Sequence, residues 1–230
     1  SQSGYEMERS IVMNLRLPST IIAVLTGLAL SVSGLLYQET FQNKLVSPDL
    51  LGVSSGAGVG AALAIVLGLS SVIVSFFAFG FGVLTVLATI FVARAFQNKS
   101  SMVLTLSGII VGGCMGAVLS FVKYLADAET TLASITFWLM GSFEHSVMDD
   151  VYVLLPIVAI CSIVILAISY RVNIVALGRE EAQTRGINYR AYRTLIIIVA
   201  TLLTASSVAF AGTISWIGLV VPHIVRLMVG

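Results

Sequence analysis

Few side chains in this 230-residue sequence have the types and spacing needed for catalysis or metal binding. The two histidines, His145 and His223, and the two cysteines, Cys114 and Cys161, are scattered singly along the chain. No H-E-x-x-H or G-x-x-x-x-G-K-[ST] motif occurs, so no metalloprotease or nucleotide phosphate loop is predicted. The cysteine spacing predicts neither a disulfide framework nor a zinc site. We therefore expect no catalytic residue, metal site or cofactor within this chain.

The composition is that of a membrane protein. Hydrophobic residues make up 58% of the chain, charged residues 10%, and the mean hydropathy is +1.04. A soluble domain averages roughly 45–50% apolar and about 25% charged residues, so an ordinary soluble enzyme is excluded. The formal net charge of +1 also excludes a strongly basic nucleic-acid binder, which must neutralise phosphates.

The elements are outlined by stretches that carry no charge. A helix that crosses a bilayer needs about 20 apolar residues, and charges inside that layer are costly. Such stretches cover residues 17–38, 50–93, 100–122, 151–170 and 194–225. The second stretch is long enough for two spans, with a turn predicted at residues 68–71, where Gly and Ser cluster.

The remaining stretches predict shorter elements. Residues 194–225 predict one span and a partial helix, with the break marked by Gly212 and Pro222. Residues 130–143 are too few to cross a membrane and predict a short interfacial helix. The predicted fold class is therefore all-α, a polytopic transmembrane helix bundle of six full spans and a half-helix, in a single domain over residues 1–230.

The basic residues predict the orientation. Alternate crossing of the spans places nine of the twelve on one side: Lys44, Arg94, Lys99, Arg171, Arg179, Arg185, Arg190, Arg193 and Arg226. Arg9, Arg16 and Lys123 fall on the other side, so the first side is predicted to be cytoplasmic. The polar opening, residues 1–10, is expected to lie at an interface and not to be a signal peptide.

Two further patterns indicate packing and partners. Small residues recur every fourth position through residues 52–68 and 108–120, which indicates close helix packing in lipid; a subunit interface or conduit along the second stripe is the alternative. The polar segment 171–193 predicts two short helices separated by residues 186–188. It is longer than a plain connection needs, so we expect a docking surface for a cytosolic partner.

Four motifs in order resemble one family. They are RLPS at residues 16–19, Q-x-x-x-x-NKLV-x-P-x-x-LG-x-x-x-GA from Gln38 to Ala57, LGREEAQTRG at residues 177–186, and G-x-I-x-W-x-GLVVPH-x-x-R-x-x-x-G from Gly212 to Gly230. Together they cover nearly the whole chain. The sequence closely resembles the FecCD-type permeases, the transmembrane subunits of bacterial ABC importers for iron-siderophores, haem and vitamin B12.

The resemblance implies a function and an assembly. Such permeases form a dimeric conduit, homomeric or heteromeric, in the bacterial inner membrane. An extracytoplasmic binding protein delivers the metal chelate, and separate cytoplasmic ATPase subunits hold the ATP and Mg. The resemblance also implies a type II importer fold of ten helices, of which this sequence lacks the first and the last two. No nucleic-acid partner is expected.

The resemblance assigns roles to particular residues. Arg16 corresponds to the arginine that docks the binding protein. The cytoplasmic coupling helices, residues 173–190, present these positions to the ATPase: Gly178, Glu180, Ala182 and Gly186. The inner gate corresponds to Asn43, Leu45, Ser100 and Ser101. The helix over residues 102–124 corresponds to the channel-lining helix, with its stripe of Gly108, Gly112 and Gly116.

Some positions depart from the family pattern, and two other functions stay open. Ser19 stands where a second arginine is common, Lys44 replaces a proline, and Arg179 replaces a glutamate. An ion-gradient-driven secondary transporter is the main alternative, although it calls for ionisable residues at mid-membrane, and only Glu39 lies near a span. An intramembrane enzyme is the other alternative. The motifs do not distinguish among the possible cargoes.

Overall fold

The computed structural model describes residues 8–96, 101–144, 146–214 and 216–229, and within them it is helical with no strand. The helices are α1 (Glu8–Thr40), α2 (Val53–Val66), α3 (Ser71–Ala95), α4 (Ser101–Leu125), α5 (Thr131–Met140), α6 (Met148–Ala176), α7 (Arg179–Thr184), α8 (Tyr189–Ala211) and α9 (Ile217–Val229). A π-helical turn, Val12–Arg16, lies within α1, and a 3₁₀ turn, Pro48–Leu51, precedes α2. The all-α prediction is confirmed.

Five of the described helices, α1, α3, α4, α6 and α8, are long and apolar enough to cross a membrane. The prediction of six full spans is therefore wrong by one. The turn at residues 68–71 separates α2 from α3 as expected, but α2 has only 14 residues. It is roughly 21 Å long, short of the ~30 Å hydrocarbon layer.

The short α2 is explained by the residues before it. Pro48 begins a 3₁₀ turn, and Gly52 has φ +79°, a left-handed conformation that cannot continue a helix from the preceding turn. The Oδ1 atom of Asp49 accepts a hydrogen bond from the Ser54 amide at 2.8 Å, which caps the first turn of α2. Some residues of the uncharged stretch 50–93 therefore form this turn and do not lengthen α2.

Part of the polar segment 171–193 belongs to the spanning helices on either side of it, α6 and α8. Residues 171–176 were expected in a separate short helix, but they form the end of α6, where Ile174 and Val175 are buried. Only α7 is a separate short helix, and the second expected helix is the start of α8. The turn predicted at residues 186–188 does separate α7 from α8.

The break before α9 lies at Gly212, as predicted, but Pro222 does not mark it. Pro222 is buried inside α9, one turn after Gly218. Proline has no amide hydrogen, so it cannot bond the Gly218 carbonyl in the usual helical way. That carbonyl instead lies directly against Gly34 of α1, at a distance that leaves no room for a Cβ atom there. The proline therefore serves a close helix contact and does not end the helix.

Helix α8 is central to the bundle, with 72% of its apolar window buried, against 39% or less in the other long helices. It packs against α1, α3 and α6. The glycine stripe of α2 packs on α3: a Cβ atom at Gly56 would collide with Thr85, and one at Gly60 with the backbone of Phe77. Small residues there allow close backbone approach, which confirms the packing interpretation for this stripe.

Candidate gate and coupling site

The predicted ATPase-coupling residues lie on and around α7, at the end of the bundle where α1 ends and α8 begins. Glu180 and Gly186 are exposed. Gly186 has φ +70° and its amide donates to Gln183, while the next amide, that of Ile187, donates to Ala182 at 2.8 Å. These two bonds form a Schellman motif, which explains the glycine by backbone conformation.

Two of the predicted coupling residues face the interior of the chain. Ala182 is fully buried, so its side chain packs internally and cannot touch a partner, contrary to the expectation. Gly178 has φ +108°, and a Cβ atom there would lie 3.2 Å from the Nε2 atom of Gln42. Small residues at these two positions allow α7 to lie close to the bundle, and of the four predicted coupling residues only Glu180 and Gly186 are exposed.

The first predicted gate loop, residues 41–47, is held in a defined turn. The Oδ1 atom of Asn43 accepts a hydrogen bond from the Leu45 amide at 3.0 Å, and the Leu45 side chain is 82% exposed. Gln42 adopts the left-handed conformation, with φ +51°. Its Nε2 atom donates to the Ala176 carbonyl at 2.9 Å. This bond joins the predicted gate loop to the end of α6, immediately before α7.

The second predicted gate loop is linked to the first through Arg193. Its Nη2 atom donates to the Ser101 hydroxyl at 3.1 Å, at the start of α4. The same guanidinium lies 5.9 Å from the ring centres of Phe41 and Tyr189. A cation at that distance from an aromatic face is attracted to it. Ser100, the other residue predicted there, lies outside the described residues.

A third contact joins α9 to the end of α1. Arg226 donates from Nη2 to the Oε1 atom of Gln38, and its Nη1 atom lies 3.7 Å from Glu39. Gln38 is 1% exposed, and its Nε2 atom donates to the carbonyls of Val46 and Leu219 at 3.3 and 3.4 Å. One buried amide therefore connects α1, the first predicted gate loop and α9.

The sequence reasoning did not assign roles to Gln38, Gln42 or Arg193. Gln38 and Arg226 are part of the motifs, but nothing in their spacing indicates that they meet, since they are far apart in the chain. Arg193 marks the polar start of a span, which is a common position for a residue that only contacts lipid headgroups. Its three contacts depend on the tertiary fold.

The glycines predicted to line a channel are turned mostly inward. A Cβ atom at Gly108 would collide with the Leu50 carbonyl, and one at Gly112 would lie 3.4 Å from Gly52. Gly116 has open space beside it. The exposed face of α4 carries larger apolar residues such as Ile109. The stripe over Gly108 and Gly112 therefore serves packing within the chain, as the first interpretation of this stripe predicted, and not a conduit surface.

Arg16 lies at the opposite end of α1, where the π-helical turn ends, and its side chain is exposed. Its backbone carbonyl accepts from the hydroxyls of Ser19 and Thr20. The side chain takes part in neither of the two ion pairs found among residues 8–96, 101–144, 146–214 and 216–229. It is therefore available to an external carboxylate.

Two acidic groups outside the spans have shifted pKa values. Burial raises the pKa of Asp49, and the hydrogen bond from Ser54 opposes that shift in part. Hydrogen bonds from the hydroxyl and amide of Thr130 lower the pKa of Asp127, which is exposed in the loop before α5. In the described part of the chain, no three His, Cys, Asp or Glu side chains gather as a potential metal-ligand set.

Comparisons with known proteins agree with this architecture. The family model of the FecCD transport family matches residues 1–230. The chain is 36% identical to the molybdate import system permease protein MolB of Haemophilus influenzae, over 97% of this chain and 66% of that protein. It is 37% identical to the cobalamin import system permease protein BtuC of Halobacterium salinarum, over 98% of this chain and 61% of that protein.

A solved structure is similar throughout. It is described as an inward-facing conformation of a metal-chelate type ABC transporter, and it superimposes with a TM-score of 0.90 at 35% identity. The match covers 98% of this chain and 72% of that one. The chain spans somewhat less than two thirds of the first curated relatives it matches. Because the family model matches the chain over residues 1–230, this chain belongs to the FecCD transport family.

Proposed function

We propose that this chain forms the permease part of an ATP-driven importer in the bacterial inner membrane. Two such permeases, identical or homologous, enclose the passage, and separate cytoplasmic subunits hydrolyse the ATP. An extracytoplasmic binding protein delivers the cargo to the end that carries Arg16. Membership of the FecCD family supports this function, and the lack of a phosphate loop in the sequence is consistent with a separate ATPase.

The observation that carries the proposal is the hydrogen bond between Gln42 and Ala176. It connects the loop of Asn43 and Leu45, the proposed gate, to the segment that the ATPase is proposed to push. A displacement of α7 that moves the end of α6 would therefore pull on that loop. Arg193 extends the connection to Ser101, so that both proposed gate loops are linked to the start of α8.

The proposed ATPase contact is the exposed part of residues 173–190. Glu180 lies in the first turn of α7 and offers a carboxylate to a basic groove. Gly186 lies at the other end of α7, where the absence of a side chain permits close approach; a Cβ atom there would meet nothing within 4 Å in this chain. Ala182 and Gly178 are proposed to support this surface from behind and not to touch the partner.

The proposed cargo is a metal-containing compound such as a ferric siderophore, haem or a cobalamin. Among the relatives, one imports cobalamin and another molybdate, so similarity alone leaves the cargo class broad. The exposed face of α4 is proposed to line the passage with apolar side chains such as Ile109. Such a surface binds cargo weakly, which assigns the choice of cargo to the binding protein.

Assembly with the ATPase tests the proposed contact. Gly186→Trp places a large side chain on the contact surface, and we expect its complex with the ATPase to be lost in a pull-down of the membrane-solubilised transporter. Gly186→Asn is the matched control, because asparagine tolerates a positive φ and is small. Equal recovery of the ATPase with both variants would overturn the assignment. A thermal unfolding curve of each permease establishes that both are folded.

A further inference from the structure

A basic cavity lies between α3, α4 and α8 at the end of the bundle that is predicted to be cytoplasmic. Its volume is about 730 Å³, within the ~300–1,000 Å³ range of small-molecule sites. Four arginines line it: Arg94 at the end of α3, Arg179 at the start of α7, and Arg190 and Arg193 in the first turns of α8. Arg193 also takes part in the predicted gate contacts described above, and Arg179 and Arg190 lie in the exposed part of residues 173–190, the proposed ATPase contact.

The charge in this cavity is not neutralised by the described part of the chain. No acidic residue is among those that line it. The ion pairs of the described residues join Arg185 to Glu181 and Arg226 to Glu39, and neither pair includes a cavity arginine. The Nε atom of Arg193 is buried and donates no hydrogen bond within the described residues. Four guanidinium groups without a carboxylate favour an anionic ligand.

The other wall of the cavity is apolar and runs along a membrane-spanning helix. Leu87 and Phe91 line it on α3 and are 56% and 76% exposed, and Ile198 lines it on α8 at 47%. From Arg94 back to Leu87 is two turns of helix, about 10 Å along its axis. A basic end joined to an apolar groove of that depth matches a phosphate headgroup joined to acyl chains, whereas a soluble anion would leave the groove empty.

We infer that this cavity binds one anionic phospholipid, with its phosphate among the arginines and its acyl chains along α3 and α8. Basic pockets between spanning helices at the cytoplasmic side are suited to such headgroups. The inference is independent of cargo and of ATP hydrolysis, and requires only that these helices cross a bilayer.

The test is native mass spectrometry of the purified full-length permease, titrated in detergent with phosphatidylglycerol, phosphatidylcholine or glycerol phosphate. We expect one phosphatidylglycerol to bind in preference to phosphatidylcholine. The double variant Arg94→Gln/Arg190→Gln should weaken that binding roughly 30-fold, about fivefold for each basic residue removed. Both side chains are exposed, so the variant is expected to fold. Arg94→Lys/Arg190→Lys, which keeps the charge, should retain most of the binding.

Arg185→Gln is the matched control, because Arg185 is on the same polar segment but outside the cavity and paired with Glu181. An equal loss with this control would show non-specific attraction and overturn the inference. Equal binding of the two lipids, or undiminished phosphatidylglycerol binding by the glutamine variant, would also overturn it. Competition by glycerol phosphate at the affinity of the lipid would identify a soluble-anion site instead. If the glutamine double variant bound the ATPase more weakly but bound phosphatidylglycerol as before, the arginines would instead be identified as a contact for an acidic protein surface.

Discussion

The contact between Arg226 and Gln38 gives the sharpest prediction for stability. Arg226→Met removes the donor to the Oε1 atom of a glutamine that is 1% exposed. A buried acceptor left without its partner costs about 1–3 kcal/mol. The partly exposed ion pair with Glu39, at 3.7 Å, adds at most about 1 kcal/mol. We therefore expect the free energy of unfolding to fall by about 2–3 kcal/mol.

The assay is denaturant unfolding of the purified permease in mixed micelles, applied as a double-mutant cycle. Gln38→Leu removes the buried acceptor, so Arg226→Met should cost at least about 1 kcal/mol less in that background than alone. Arg185→Met is the matched control, since its pair with Glu181 is exposed and 4.0 Å long, and should cost under about 0.5 kcal/mol. Strict additivity of Arg226→Met and Gln38→Leu would refute the reasoning.

Three other predictions concern the gate loop, the cap of α2 and the opposite end of the bundle. Gln42→Ala should lower the free energy of unfolding by about 1 kcal/mol, because the bond to Ala176 is lost. Gln42→Gly should lower it by less, because glycine tolerates the φ of +51° at this position. Equal losses for the two variants in a denaturant titration would contradict this. Because burial raises the pKa of Asp49 in the folded state, stability should fall as pH rises from the ordinary carboxyl pKa through the raised one. The stability of Asp49→Asn relative to the parent should therefore be higher at pH 7 than at pH 4. A stability difference between the two proteins that is the same at both pH values would contradict this. Arg16→Glu should weaken binding-protein affinity about tenfold or more in a surface-binding assay, while Arg9→Glu, also exposed on α1, should change it little; equal effects would disprove the docking role.

The local sequence pattern predicted the positions of most helices but not their lengths. Charge-free stretches predict where spans lie because a charge in hydrocarbon is costly, and this rule located each of the five long helices among the described residues. It failed at α2, where Pro48 and Gly52 place apolar residues in a turn, and at Pro222, which lies inside α9 one turn after the Gly218 carbonyl that meets Gly34 of α1. Both features depend on what lies opposite in the fold.

The same distinction holds for the candidate site. Motif resemblance predicted a coupling segment and a first gate loop, but not which of their side chains face outward. Ala182 and Gly178 are small because of internal neighbours, which a linear motif cannot distinguish from smallness at a partner surface. The connections through Gln42 and Arg193 join residues far apart in the sequence, and no spacing rule predicts them.

Uptake by reconstituted vesicles tests the central proposal most directly. The permease is reconstituted with its ATPase and loaded binding protein, and cargo accumulation is measured with and without ATP on the side of α7. We predict that uptake requires both ATP and the ATPase and persists when a protonophore collapses the ion gradient. Uptake that continues at full rate without the ATPase, and stops on addition of the protonophore, would contradict the proposal and identify a gradient-driven transporter.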